Sequence, residues 1–340
     1  MDSDDKSAAD KPGTTPGSAT AYRSSTRRGQ RGPVTYRGRS NSLGSTTKRA
    51  VRTALMTVNR PTAGARMLPT FLIAGAARSG SASVFRALSE HPAVGQPFPR
   101  GSREVHFFDN NYGRGLGWYQ SHFPFRAQMD RAARAVGVKA PLAFESGIYY
   151  MFHPLAPERI KRDLPDAKLL VLLRDPVERA FSMHSHSVSF GYEKETFERA
   201  LELEDDRLAG QAERMVADPA YYSFSHQHHS YRTRGRYIEQ LEHLEQVFGR
   251  DRIHVVDSMD FWASPVPVYD GILGFLGLPN VGYPDFQHMN ARARAAAMPD
   301  PVRAALEEHY CPYNERLATW LGQEPSWCRS PLPDATPPAG

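Results

Sequence analysis

Glycine and serine crowd around a single arginine in the run GAARSGSAS, residues 75–83. Gly75 and Gly80 stand five residues apart. That is the spacing of loops whose backbone N–H groups and following helix N-terminus cradle a phosphate. Nucleotide hydrolases follow the second glycine with Lys, then Ser or Thr for magnesium. Ser81 and Ala82 occupy those positions here, so magnesium-dependent phosphoryl transfer lacks its two defining side chains. What remains is an anion cradle over Ala77, Arg78, Ser79, Gly80, Ser81, Ala82 and Ser83, with Arg78 as its cation. The same composition also suits a plain strand–helix turn that binds nothing.

Two more clusters bear on the same chemistry. In LLRDPVERAFS (172–182), Arg174 ends an apolar run and Ser182 follows eight residues later. About two helical turns separate them, so both can face a second phosphate. The competing reading pairs Arg174 locally with Asp175 or Glu178. In SREVHFFD (102–109), an extended run puts Glu104, His106 and Phe108 on one face. A carboxylate beside an imidazole makes a general base with its orienting partner. Taken alone, the pair suits an ordinary structural Glu and an exposed His equally well. The histidines of HQHH (226–229), with His184 and His186, have no carboxylate or cysteine at ligand spacing, so a polar cleft loop is expected rather than a zinc site.

These residues need a scaffold, and the hydropathy pattern supplies one. FLIAG (71–75), KLLVLL (168–173) and RIHVVDS (252–258) read as buried strands. Ser81 to Glu90 carries helical spacing at Val84, Ala87 and Leu88, and Pro92 ends it. Asp175 and Pro176 look like the N-cap and first position of a helix. Amphipathic helices follow around Tyr237 to Phe248 and over residues 301–322. Strands alternating with helices predict an α/β fold, a central parallel sheet flanked by helices, with a P-loop-like strand–loop–helix.

Composition sets the outer limits. The chain has 340 residues, 40% hydrophobic and 23% charged, enough for a sizeable core. Its two cysteines cannot staple a disulfide scaffold; Cys311 is expected as a free thiol, as core of an amphipathic helix, and Cys328 likewise unpaired. No apolar run approaches the roughly 20 residues of a membrane span. The opening MDSDDKSAAD has no apolar core of a signal peptide, so a cytoplasmic place is expected. Residues 1–66 hold 13 Lys+Arg against 4 Asp, while the remainder carries 29 basic and 33 acidic side chains. The basic character thus belongs to the tail, and a nucleic-acid-binding body is not expected. That tail is predicted to be disordered; its arginines from Arg23 to Arg39 could touch an anionic surface such as the inner face of a membrane. The expected organisation is a tail over 1–66, one domain over 67–330 and a flexible end over 331–340.

In order and spacing, these segments resemble the sulfotransferases that use 3′-phosphoadenosine 5′-phosphosulfate (PAPS), in particular the heparan-sulfate-type carbohydrate domain and its bacterial relatives. The likeness runs from about residue 70 to 328 through FLIAGAARSGSASVFRALSEHP, REVHFFDNNYGRGLGWYQSHFP, VKAPLAFE, KLLVLLRDPVERAFSMHSH, YIEQLEHLEQVFGRDRIHVV, FLGLP and HYCPYNERLATWLG. The resemblance implies that residues 77–83 hold the 5′-phosphosulfate with Arg78, and that Arg174 and Ser182 hold the 3′-phosphate. It implies Glu104 as the general base, His106 and Asp109 as its cleft neighbours, and Lys139 as a cleft lysine. The acceptor it implies is a carbohydrate or glycolipid hydroxyl, with no metal. Arg78 stands where the heparan-type loop has Lys, and Ser79 where it has Gly. The basic glycine-rich stretch of animal relatives has no evident counterpart, although Arg292 or Arg294 in NARARAAAM stands near its place. The rivals are a nucleotide-dependent kinase and a non-catalytic nucleotide-binding protein docked on an anionic surface.

Overall fold

The computed structural model describes residues 59–99, 102–286 and 297–329. Five parallel strands form one sheet: β1 (Phe71–Gly75), β2 (Val94–Gly95), β3 (Leu142–Ser146), β4 (Lys168–Leu173) and β5 (Ile253–Asp257). Their order is β2-β3-β1-β4-β5. The helices around them include α1 (Ser81–Ser89), α2 (Arg126–Ala135), α3 (Ala156–Asp163), α4 (Pro176–Ser189), α5 (Tyr237–Phe248), α6 (Pro265–Leu276) and α7 (Asp300–Leu321).

The strand sequences account for the layering. β1 and β4 are apolar at nearly every position because both faces of the sheet are covered. Alternate residues then serve two cores. Leu72, Ala74, Leu169, Val171 and Leu173 pack on the face that carries Ile160, Ile238 and Leu241. Phe71, Ile73, Leu170 and Leu172 pack on the other, against Val84, Leu88, Ile272 and Leu273. A third cluster joins Val177, Ala180 and Phe181 of α4 to Leu306 and Tyr310 of α7.

Strand order fixes where a ligand can sit. After β1 the chain passes through α1 to β2 on one side of the sheet; after β4 it passes to β5 on the other. The reversal lies between β1 and β4, where open parallel sheets leave a crevice at their carboxyl ends. Residues 76–80 and Arg174 both emerge into that crevice.

The expected strands appear almost at their expected bounds, and α1, α4, α5 and α7 likewise. The sequence reading did not include β2 and β3. β2 is two residues long, and β3 reads LAFES, with a carboxylate inside a buried strand. The expected tail boundary also shifts. Residues 60–65 form a 3₁₀ turn, and buried Arg66 donates to Phe123 O at 2.8 Å and Asn59 Oδ1 at 2.9 Å. The ordered body therefore includes residues 59–66. Residues 1–58 and 330–340, and with them the remaining expectations for both tails, lie outside the described residues, as do Arg292 and Arg294.

Candidate active site

One side of the crevice is made of backbone. Gly75 ends β1 where a Cβ would meet Met151 Sδ at 2.1 Å, so a larger residue there would have to displace the Met151 side chain. Arg78 and Gly80 adopt φ of 71° and 81°, the left-handed region that lets a short loop turn its amides one way. The amides of Ala77, Ser79, Gly80, Ser81 and Ala82 donate to no backbone carbonyl among the described residues, whereas Ser83 N is taken by Gly80 O at 3.0 Å. Unengaged donors at the start of a nine-residue helix fit an anion. Arg78 adds charge, and its Nε reaches Ser182 Oγ at 3.1 Å. Two hydroxyls brace the two rims of the crevice: Ser258 Oγ donates to Ser79 O of the loop at 2.5 Å, and Tyr237 Oη donates to Arg174 O after β4 at 2.9 Å.

Arg174 makes the local pair with Glu178 and keeps part of its side chain open to the crevice. It stands at the carboxyl end of β4, 29% exposed, and its Nη2 lies 3.5 Å from Glu178 Oε2. The other oxygen of Glu178 lies 2.5 Å from Arg303 of α7. Arg303 is a third cation on this side that sequence reasoning missed; nothing in the pattern of α7 marks it. Asp175 caps α4 by accepting from Val177 N at 2.9 Å. Burial, with Glu178 alongside, raises its pKa.

The opposite side is made of side chains. His106 Nε2 lies 3.1 Å from Glu104 Oε2, and Nδ1 lies 2.9 Å from Asp109 Oδ2. Burial alone would keep this imidazole neutral, but Asp109 and Glu104 together raise its pKa well above the ordinary value. Burial opposes the Asp109 charge as well, yet His106 holds that carboxyl below its usual range. The expected extended face is not how these groups meet. His106 has φ of 56°, so the chain turns there, and Phe108 is fully buried with Phe107 in the core. The turn itself swings the imidazole between the two carboxylates.

A buried polar post supports that turn. Glu145, fully buried on β3, accepts Val105 N at 2.7 Å, Tyr119 Oη at 2.7 Å and Tyr150 Oη at 2.9 Å. Burial lifts its carboxyl to about 7, with the three donors pulling the other way. Tyr150 Oη also receives Phe107 N at 3.1 Å. Sequence reasoning missed Glu145, Tyr119 and Tyr150, since a lone Glu in a strand has no partner visible in the chain.

Register brings the two sides together. Ser146 pairs with Ile73 of β1, two residues before Gly75, and Ser146 N donates to Arg103 O at 2.9 Å. Glu104 is thus tied to the same rim as the loop. Lys139 is not. It is exposed, three residues before β3 begins, at the amino end of the sheet a strand's length away. The β3 residue at the cleft rim is Ser146, so the cleft-lysine assignment is corrected.

The HQHH segment forms a wall beside His106. Tyr149 Oη and His226 Nδ1 are 2.6 Å apart, Tyr222 Oη and His228 Nε2 3.1 Å, and Asn110 Nδ2 reaches Gln227 Oε1 at 3.4 Å. Burial drives His226 and His228 down to about 3 and His153 down to about 4, so all three are neutral near pH 7. His184 faces elsewhere, with Nε2 on Glu195 O at 2.9 Å. Cys311 and Cys328 are both free and exposed. Cys311 is therefore on the surface of α7, not in the core as expected, and the structure corrects that placement.

Residues 68–295 match the sulfotransferase domain model. The chain belongs to this family. This sulfotransferase is 28% identical to human heparan sulfate glucosamine 3-O-sulfotransferase 5 over 216 residues, covering 63% of the chain and 55% of that protein. It is 23% identical over 326 residues to the membrane-associated sulfotransferase kil1 of Dictyostelium discoideum, covering 76% of the chain and 66% of that protein. The chain thus spans between half and two thirds of the length of these relatives. The solved sulfotransferase of Alicyclobacillus acidocaldarius superposes with a TM-score of 0.56 at 28% identity, over 77% of this chain and all of that one. The relative named as membrane-associated overturns the expected cytoplasmic location. No described helix is long and apolar enough to cross a membrane.

Proposed function

We propose that this sulfotransferase moves the sulfuryl group of PAPS to a hydroxyl of a carbohydrate or glycolipid acceptor. One observation carries the reading: an amide cradle with Arg78 and Ser182, and a Glu104–His106–Asp109 chain, share the carboxyl rim of one sheet. PAPS would supply an activated sulfuryl group on a phosphate leaving group. The amides of Ala77, Ser79, Gly80, Ser81 and Ala82 with the Arg78 side chain would hold the 5′-phosphate side, while Arg174 and Ser182 would hold the 3′-phosphate. Glu104 takes the acceptor proton as the acceptor oxygen bonds to sulfur and the sulfur–oxygen bond to the phosphate breaks. Charge then gathers on the leaving phosphate, where the cradle and Arg78 are already aimed. His106 donates to Glu104 and is itself held by Asp109, so the base is fixed in place before the acceptor arrives. No metal enters this scheme. The heparan sulfate relatives, by name, favour a carbohydrate acceptor.

Radiolabelled PAPS incubated with the full chain and a glycan or glycolipid extract tests the reading. Transfer of label to a hydroxyl-bearing product is expected. Label transfer from the γ-phosphate of magnesium-ATP instead would replace it with a kinase.

A further inference from the structure

A carboxylate stands in the middle of the proposed 3′-phosphate site. Arg174, Glu178 and Ser182 are spaced four residues apart, so they form one stripe along the start of α4. Glu178 therefore lies between the two side chains proposed to hold that phosphate. Ser182 Oγ is reached by Arg78 Nε at 3.1 Å, which ties the far end of the stripe to the loop. Glu178 is 17% exposed, so water screens its charge poorly. Asp175, which caps α4, adds a second negative charge beside it. On this segment one guanidinium, that of Arg174, faces two carboxylates.

Arg303 of α7 reverses that disadvantage. Its Nη2 lies 2.5 Å from Glu178 Oε1, against 3.5 Å from Arg174 Nη2 to Oε2. The nearer guanidinium takes the larger share of the carboxylate, and Arg174 keeps its other donors for the crevice. Glu307 lies 3.9 Å from Arg303 Nη1 but is 60% exposed, so it competes weakly. Arg303 comes from a different helix than Glu178. Its reach is set by the apolar contact of Val177, Ala180 and Phe181 with Leu306 and Tyr310, not by a local spacing.

We propose that Arg303 is a positioning residue for the 3′-phosphate: it neutralises Glu178, so that Arg174 and Ser182 can receive a phosphate that Glu178 would otherwise repel. The proposal rests on the sulfuryl-transfer reading of this site. Arg303 acts through Glu178 and does not have to touch the nucleotide. Without it, Glu178 would close on Arg174, and the one positive charge of Arg174 would stand against two negative ones. Removing Glu178 as well would return Arg174 to the phosphate. A guanidinium that merely tied α7 to α4 would show no such rescue.

Calorimetric titration of the full chain with 3′-phosphoadenosine 5′-phosphate (PAP) and with adenosine 5′-phosphate tests this without relying on turnover. The two ligands differ only in the 3′-phosphate, so the ratio of their affinities reads that group alone. Wild type should prefer PAP. Arg303→Ala should cut the ratio about tenfold, and Arg303→Lys, which keeps the charge, should retain most of it. The double variant Arg303→Ala, Glu178→Ala should restore it. The α4–α7 contact is apolar, so Arg303→Ala should melt close to wild type. Glu178→Ala alone, with Arg303 in place, should hold PAP at least as tightly as wild type. An unchanged ratio in Arg303→Ala would overturn the proposal, as would a double variant no better than the single one. Weaker PAP binding by Glu178→Ala would also overturn it, by making Glu178 a strut for Arg174. Equal affinity of wild type for the two ligands would instead sink the sulfuryl-donor assignment itself.

Discussion

The two walls of the crevice solve the problem of placing charge by different means. On the wall proposed to hold the sulfuryl donor, the backbone amides of Ala77, Ser79, Gly80, Ser81 and Ala82 at the start of α1 supply the hydrogen-bond donors, and the fold itself aims them. On the wall proposed to face the acceptor, side chains supply everything: Glu104, His106 and Asp109 stand on an irregular turn propped by the buried carboxyl of Glu145. A wall built from backbone should tolerate loss of any one side chain better than a wall built from a polar network.

Glu104→Gln should have the largest effect. A positioned base typically contributes about 10²–10⁴ in rate, so turnover should fall by that range while PAP affinity holds. Turnover within a few-fold of wild type would pass the proton-acceptor role to His106, and His106→Ala would then show the larger loss. Glu145→Ala should come next, read as stability. It strands three buried donors, Tyr119 Oη, Tyr150 Oη and Val105 N, and should lower unfolding free energy by about 3 kcal/mol or more. A chemical denaturation midpoint close to wild type would mean that the turn is held by Asn111 and the Phe107–Phe108 packing instead. Arg78→Ala, on the donor wall, removes one charged partner from a cradle that keeps its amides. PAP binding should weaken by about tenfold to a hundredfold, measured by calorimetry, with stability little changed.

The acceptor wall should also show itself in acid. His228 has its pKa depressed in the folded state, so below its unfolded value near 6.5 the unfolded chain takes up a proton that the folded chain refuses. Stability from this group is therefore lost as pH falls below 6.5, at about 1 kcal/mol per pH unit. His106 acts in the opposite sense. Its raised pKa gives stability that is present below pH 6.5 and lost as pH rises through the folded value. Replacing His228 by Gln should flatten the acid side of the melting-temperature profile between pH 6.5 and 5, and an unchanged slope would show that the imidazole is not excluded from water. The smallest effect concerns the amino-terminal boundary. Removing residues 1–58 should leave melting nearly unchanged. Removing residues 1–66 deletes the Arg66 contacts to Phe123 O and Asn59 and should lower it.

The same contrast explains what the sequence made legible. Apolar runs of full length, such as KLLVLL, announce a buried strand, and GAARSG announces a loop whose chemistry depends on main chain rather than on side-chain partners. Asp175–Pro176 announces a helix start. The acceptor wall sends no such signal. Glu145 is 40 residues from Val105, and Tyr149 is 77 from His226, so their meeting depends on how β3 is placed and not on any local spacing. Lys139 was misplaced for the same reason. Without β3 in view, nothing in VKAPLAFE tells which end of the segment reaches the rim. Glu104 and His106 were found together, although by a face argument that the left-handed turn at His106 replaces.

Thermal unfolding of the full chain with PAP, set beside magnesium-ATP, probes the backbone cradle most directly. The amides, Arg78 and Arg174 should recognise phosphates without needing magnesium. PAP at 100 times its dissociation constant should stabilise the fold by about 2.7 kcal/mol and raise the melting temperature, with magnesium-ATP giving less. Glu104→Gln should show the same PAP response as wild type. Stronger stabilisation by magnesium-ATP, or loss of the PAP response in a folded Glu104→Gln protein, would contradict the division of the crevice into a donor wall and an acceptor wall.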